Sequence, residues 1–205
     1  MSVTEKITSY INRRKGGTIL FPSDFAKFGS QESIHKSLSE LTKKGKLLRV
    51  ATGIYYKPLI EKELGLGLIM PTMEQIAHAI AKRDRTRIVP TGIYAQNRLG
   101  LSTQVPMNAV YLTDGTPRQV KMLNGREIRF IHIAPRFLNF KSDMAMLLTY
   151  ALRDYGEGNL SKSQKTTLKR LFSRVPYEEF KQDYELIPSW IINLIEDIYA
   201  QIHNT

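Results

Sequence analysis

Gln31, Ser33, His35, Lys36 and Ser39 put five hydrogen-bonding side chains into nine residues of chain. On a helix turning 100° per residue, Glu32, Lys36, Ser39 and Lys43 share one face, with Gln31 and His35 on its flank. Side chains of these types suit the edges of bases, Gln matching adenine and Lys matching guanine. Lys43, Lys44, Lys46 and Arg49 follow at once; cations so placed suit phosphate oxygens, which fix position without reading sequence. Ser30, just ahead of the run, offers a hydroxyl and a helix N-terminus, where a phosphate is also favoured. Glu32 and Glu40 oppose such a partner unless they pair with Lys36 and Lys44 at i,i+4.

The elements that must carry these groups are legible in the same stretch. Ser30 is an N-cap, Ile34, Leu38 and Leu41 make one apolar stripe, and Gly45 supplies the left-handed stop. Leu47–Val50 and Ile54–Lys57 flank Ala51-Thr52-Gly53 as a short β-hairpin. Upstream, Val3, Ile7, Tyr10 and Ile11 lie on one side of a first helix ending before Gly16-Gly17. Thr18–Phe21 is a strand candidate, and Pro22 opens a brief helix to Lys27 with Phe25 and Phe28 inward. Helix, strand, helix, helix, hairpin is the order of a winged helix-turn-helix, with the Ser30 helix as the element that enters the major groove. Arg13, Arg14 and Lys15 are further phosphate candidates. A three-helix protein-interaction module shares the same core and is the competing interpretation.

Charge agrees with an acidic partner. The 205 residues carry a formal net charge of +11, and the pI is about 9.8. Residues 1–60 hold 11 Lys/Arg against 4 Asp/Glu, a net +7, whereas the remaining 145 carry only +4. With 42% hydrophobic residues the chain can bury a substantial core in one or two domains. The absence of cysteine excludes disulfides and thiolate metal sites. No apolar run suits a signal peptide or a membrane span, so a cytoplasmic protein is expected.

Beyond residue 58 the sequence predicts a connector over 59–71 and then a C-terminal α+β domain over 72–205, giving an α+β protein of two domains. Gly65-Leu66-Gly67 echoes half of a nucleotide-binding fingerprint but lacks its strand–loop–helix frame. Thr72 caps a helix through about Arg83, with Gln75 in capping-box position. Pro90-Thr91-Gly92 reads as a turn, followed by a short helix from Ile93 to Leu99 stopped by Gly100. Ala109–Thr113, Arg118–Met122 and Glu127–Ile133 alternate as strands of a small, largely antiparallel sheet, with Asn124-Gly125 a strong hairpin signal. Helices are predicted over Asp143–Tyr155, Lys162–Arg174, Tyr177–Glu185 and Pro188–Ile202. The last is apolar over more than one stripe, which suits either an internal core or a subunit contact.

Catalytic motifs are lacking. His35, His78, His132 and His203 are scattered without metal-ligand spacing, so no metal, cofactor or catalytic residue is assigned. Gly29-Ser30 echoes a nucleotidyltransferase opening without its paired aspartates. Glu179-Phe180-Lys181 mimics half of a nuclease motif in a helical segment, and Asp114 before Gly115 suits a turn. A nucleic-acid-processing enzyme acting through Asp114 or Glu179 is the alternative from a different class.

The stretch Ile88-Val89-Pro90-Thr91-Gly92-Ile93-Tyr94-Ala95-Gln96-Asn97-Arg98-Leu99-Gly100-Leu101-Ser102-Thr103-Gln104-Val105-Pro106, leading into Val110–Gly115, closely resembles the signature of a bacterial family of winged-helix proteins. That family is related to the AbiEi-type antitoxins of abortive-infection (type IV) toxin–antitoxin systems. Gly53-Ile54-Tyr55 and Asp24-Phe25 resemble its N-terminal domain, and the likeness runs from roughly Gly17 to Ile133. The resemblance implies a winged helix that binds its own promoter in double-stranded DNA and a C-terminal part for dimerisation or for countering a nucleotidyltransferase-like toxin. It implies a DNA-binding role for Gln31 to Lys43 and the hairpin through Tyr56. A DNA-binding regulator acting as a homodimer, without enzyme activity or membrane contact, is therefore expected. Bottom-up, the same signature looks structural, with Ser102, Thr103 and Gln104 satisfying backbone groups in a tight corner.

Overall fold

The computed structural model describes residues 1–203 of a mixed α+β chain with small antiparallel sheets. It divides into two compact units: Met1–Ile80 with Val120–Ile128, and Ala81–Gln119 with Arg129–Thr205.

The first unit opens with helix α1, Val3–Asn12, started by a reciprocal box in which Ser2 Oγ accepts from Glu5 N and Glu5 Oε2 accepts from Ser2 N. Strand β1, Ile19–Leu20, leads into Pro22–Phe28. This segment is the expected brief helix, of the 3-10 kind and one residue longer. Its first turn is tied by the Asp24 carboxylate accepting from Phe21 N at 2.8 Å. Helix α2, Gln31–Lys43, is capped as expected: Ser30 Oγ accepts from Ser33 N. It ends in a Schellman motif, with Gly45 at φ 69°, Gly45 N donating to Thr42 O and Lys46 N to Leu41 O. Gly29 before the cap is required by space. A Cβ there would lie 2.7 Å from Val3 Cγ2 and 2.8 Å from Ser33 Oγ.

Strands β2, Leu48–Ala51, and β3, Ile54–Tyr56, form the hairpin, and β1 pairs the other edge of β3 to give the order β1-β3-β2. All three residues of β3 are buried. Ile7, Ile11, Phe25, Ile34, Leu38 and Leu41 close the core beneath α2, with Tyr10 edge-on to Phe25 at 5.4 Å and 76°. The stretch expected as a connector is itself ordered as a second hairpin, β4 (Leu59–Glu61) with β5 (Gly67–Ile69). Helix α3, Met73–Asp84, follows, and Thr72 and Gln75 make the expected capping box.

The second unit is built on strand β6, Ile88–Thr91, helix α4, Gly92–Arg98, and strand β7, Asn108–Thr113, with the parts of β8, Arg118–Lys121, and β9, Glu127–His132, that lie outside residues 120–128; the strand order is β6-β7-β9-β8. The expected turn at Pro90-Thr91-Gly92 is instead the end of β6. Proline fits because β6 is an edge strand, where a missing N–H leaves no ladder gap. Helices α5 (Asp143–Tyr155), α6 (Lys162–Phe172), α7 (Glu178–Lys181) and α8 (Ser189–His203) enclose a core around Leu148, Leu168, Phe172, Phe180, Ile191 and Ile195. The predicted Tyr177–Glu185 helix is split into α7 and a 3-10 turn at Tyr184–Leu186. Burial first, then the nearby Glu179 charge, pushes the Tyr199 hydroxyl pKa up to about 12. The large apolar side chains of α8 are buried or half-buried within this unit.

Asp114 locks the start of the second unit's sheet, accepting from Arg87 N and Arg87 Nε, each at 2.8 Å. Burial pushes its carboxyl pKa up, but the Arg87 bonds and charge outweigh that and leave it below the ordinary value. A depressed carboxyl contributes stability that is present above about pH 4 and is lost as pH falls through the lowered folded value. Asp114→Asn is therefore expected to melt below the parent at neutral pH, the two melting temperatures converging between about pH 4 and 2. Parallel curves across that range would contradict this role.

Candidate nucleic-acid interface

Helix α2 turns Ile34, Ser37, Leu38 and Leu41 inward, which leaves the other side to solvent. Gln31, His35, Lys36 and Ser39 are exposed along it, and Ser30 is exposed at its head. Ser33 departs from the expected pattern. It is half-buried, and its hydroxyl donates to the Ser30 carbonyl at 2.8 Å. The buried Ser37 hydroxyl shares a 2.8 Å hydrogen bond with Thr4 and ties α2 to α1.

At the other end of α2, Lys43, Lys44, Lys46 and Arg49 are all exposed within seven residues. Cations are favoured at a helix C-terminus by its dipole. Among the described residues Lys36, Lys43, Lys44, Lys46 and Arg49 have no ion pair or side-chain hydrogen bond. The i,i+4 pairs that Glu32–Lys36 and Glu40–Lys44 could make are likewise not formed among the described residues, as such surface pairs gain little over hydration. Lys46 also lines an open polar groove of about 500 Å³ beside α1, with Thr4, Thr8, Asn12 and Arg13.

The hairpin differs from a free basic flap. Its β3 strand is central in its sheet, and β2 is bridged on its far side, where Ala51 faces Met122 and Leu123 N donates to Val50 O. The tip, Thr52-Gly53, is uncharged. Lys57 does not face outward either: its ammonium donates to the Ile11 and Asn12 carbonyls at 3.0 and 3.2 Å, and to Arg14 O. It neutralises the C-terminal end of α1, a role invisible in the sequence because the partner lies more than forty residues away. Arg14 is held over the Tyr10 ring at 4.4 Å.

A fingerprint-like match extends over most of the molecule: the model of a family of unknown function, DUF6088, matches residues 6–180. The chain belongs to DUF6088. A search of curated proteins found no match. The DUF6088 match spans both units, including the Pro90–Pro106 motif, whose polar groups here serve the backbone. Asn97 Nδ2 donates to the Ser102 and Gln104 carbonyls, Gln96 Nε2 to Asp154 at 2.8 Å, and Leu101 O accepts from Tyr155 and Gln164.

The residues of the enzyme alternative are engaged in structural hydrogen bonds, Asp114 with Arg87 as described above. Glu179 accepts from Ser142 Oγ at 2.8 Å, and buried Asp183 accepts from Lys141 N and Ser142 N ahead of α5. Among the described residues no three of His, Asp or Glu gather in a metal-binding geometry, and no helix is long and apolar enough to cross a membrane. One basic feature escaped the sequence reasoning. Lys162, Lys165 and Lys169 of α6 lie within about 60° of one another at helical spacing, exposed beside Arg170 and Arg174. No acidic residue occurs from 159 to 175, and that run without a counter-charge was the signal.

Proposed function

We propose that this chain is a sequence-specific DNA-binding regulator, an AbiEi-like antitoxin that represses its own operon and counters a nucleotidyltransferase-like toxin in the compartment that holds the DNA. The observation that carries the DNA half is the exposed polar side of α2, which bears Lys36 and is continued by Lys43, Lys44, Lys46 and Arg49, none of the five having an intramolecular partner among the described residues. A 13-residue helix with an inward apolar stripe is seated rigidly enough to lie in a major groove. Gln31, His35, Lys36 and Ser39 would face base edges, while Lys43, Lys44, Lys46 and Arg49 would lie along phosphates. The half-buried Ser33 hydroxyl is already engaged and drops out of the reading set. The antitoxin half rests on the Ile88–Pro106 resemblance.

The test is a binding titration on a fragment upstream of the chain's own gene, with unrelated DNA as reference. Lys36→Ala is expected to lose roughly 1–3 kcal/mol of preference for the promoter while keeping non-specific binding. Arg49→Ala is expected to weaken both DNAs alike and to lower the salt slope by about 0.9. Equal affinity of both variants and the parent for the promoter sinks the proposal. For the antitoxin half, a neighbouring nucleotidyltransferase-like reading frame that arrests growth, relieved by co-expression of this chain, is the expected outcome.

A further inference from the structure

The β4–β5 hairpin pairs Leu59 with Ile69, Ile60 with Leu68 and Glu61 with Gly67, and no further strand joins it among the described residues. Side chains alternate across a pleat, so Leu59 and Ile69 share one face and Ile60 and Leu68 the other, with Met70 continuing the second. The first face is partly seated, Leu59 keeping 38% exposure. Leu59 lies over Gly16 and Gly17, where added Cβ atoms would meet it at 3.1 and 3.6 Å, and the Tyr56 hydroxyl donates to Ile69 O at 2.8 Å. The second face is bare: Ile60 is 61% exposed, Leu68 48% and Met70 51%, while Leu64 and Leu66 in the connecting turn are 77% and 64% exposed. Two strands of three residues are marginal alone in water, and so many adjacent aliphatic side chains mark an interaction surface.

We infer that this hairpin is a dimerisation arm, and that its bare face packs against the same face of a second copy across a two-fold axis. Charge selects that occupant. Copies at net +11 repel one another, but the arm, residues 59–70, carries one lysine and two glutamates, so two copies meet where their repulsion is least. An anionic membrane surface would want several lysines and arginines beside the apolar residues, whereas the arm's one lysine, Lys62, stands between Glu61 and Glu63. A two-fold also makes an identical apolar face and open strand edge complementary to themselves. Helix α8, the other dimer candidate, has its large apolar residues buried or partly buried against its own unit's core, unlike those of the arm. The inference rests on the proposed function in one respect: a dimer supplies the second reading helix that a two-fold operator requires.

Light scattering on the full chain without DNA tests the arm. The parent is expected near twice 23.5 kDa at micromolar concentration. Ile60→Glu with Leu68→Glu sets four carboxylates against one another across the axis, and this variant is expected to be monomeric with an unchanged circular dichroism spectrum. Should it misfold, Leu64→Ser and Leu66→Ser lie in the exposed turn and are expected to raise the dimer dissociation constant about tenfold each. Val105→Glu, at a 79% exposed position outside the arm, is expected to change nothing. A parent that stays monomeric at about 100 μM, or a dimer indifferent to the arm variants, overturns the inference. Lys36→Ala should remain dimeric while losing promoter preference, and the arm double variant should still bind a single half-site. A failed arm and a failed DNA proposal therefore give different results.

Discussion

Changing Lys43, Lys44, Lys46 and Arg49 together to glutamine is expected to lower the slope of log affinity against log salt by about 3.6. That figure is four phosphate contacts at roughly 0.9 each, the counterions they would release on binding a duplex. Between 50 and 200 mM salt the parent should therefore lose about a hundredfold more affinity than the variant. The measurement isolates the cluster from the fold, because all four side chains are exposed and unpartnered among the described residues. Their removal touches stability only through the helix dipole, at about 0.3–1 kcal/mol for charges at the end of α2. Loss of promoter preference without a change of slope would place the phosphates elsewhere, and the α6 lysines would be the next surface to neutralise.

The largest expected effect on stability comes from Phe25→Ala. Phe25 is fully buried, edge-on to Tyr10 and 6.4 Å from Phe28 in centroid distance. It projects from the 3-10 segment into the core shared by α1 and α2. Truncating such a ring costs about 3–5 kcal/mol, the transfer and cavity contributions together. A domain is stable by only about 5–15 kcal/mol, so the first unit should approach the edge of unfolding. Urea unfolding followed by circular dichroism, with Phe25→Leu as the milder comparison, reads the loss. DNA affinity should fall in step as α2 loses its seat. A loss below about 1 kcal/mol would mean that this aromatic cluster does not hold the helix.

The Ser30–Gly45 helix was legible because every signal there is local: a cap, a stripe at helical spacing and a glycine at φ 69°. The Thr72–Gln75 box and the Asn124-Gly125 turn were legible for the same reason. What escaped depends on distant partners. Pro90 reads as a turn until β7 is seen on one side of β6 and, among the described residues, no strand on the other. Leu59–Ile69 reads as a linker because its glycines mask two very short strands. Lys57 counts toward a basic surface until the α1 carbonyls are seen around it. Glu179 resembles a fragment of a nuclease motif until Ser142 is found donating to it. That Gln31, His35, Lys36 and Ser39 lie on the exposed side of the helix follows from its period, whereas Ser33 does not, since the direction of one hydroxyl is not written in helical periodicity.

The β-hairpin between residues 120 and 128 closes the first unit, covering the outer edge of β2 through Ala51–Met122 and Val50–Leu123. A ribosome must therefore translate some forty residues beyond Ile80 before the N-terminal fold can finish. Gene fragments cut at residue 58 or 80 would leave the Val50 carbonyl without its amide partner and a raw strand border open to sticking. A self-sufficient minimal fragment of this protein has to be spliced, with the 120–128 ribbon carried along, rather than simply shortened.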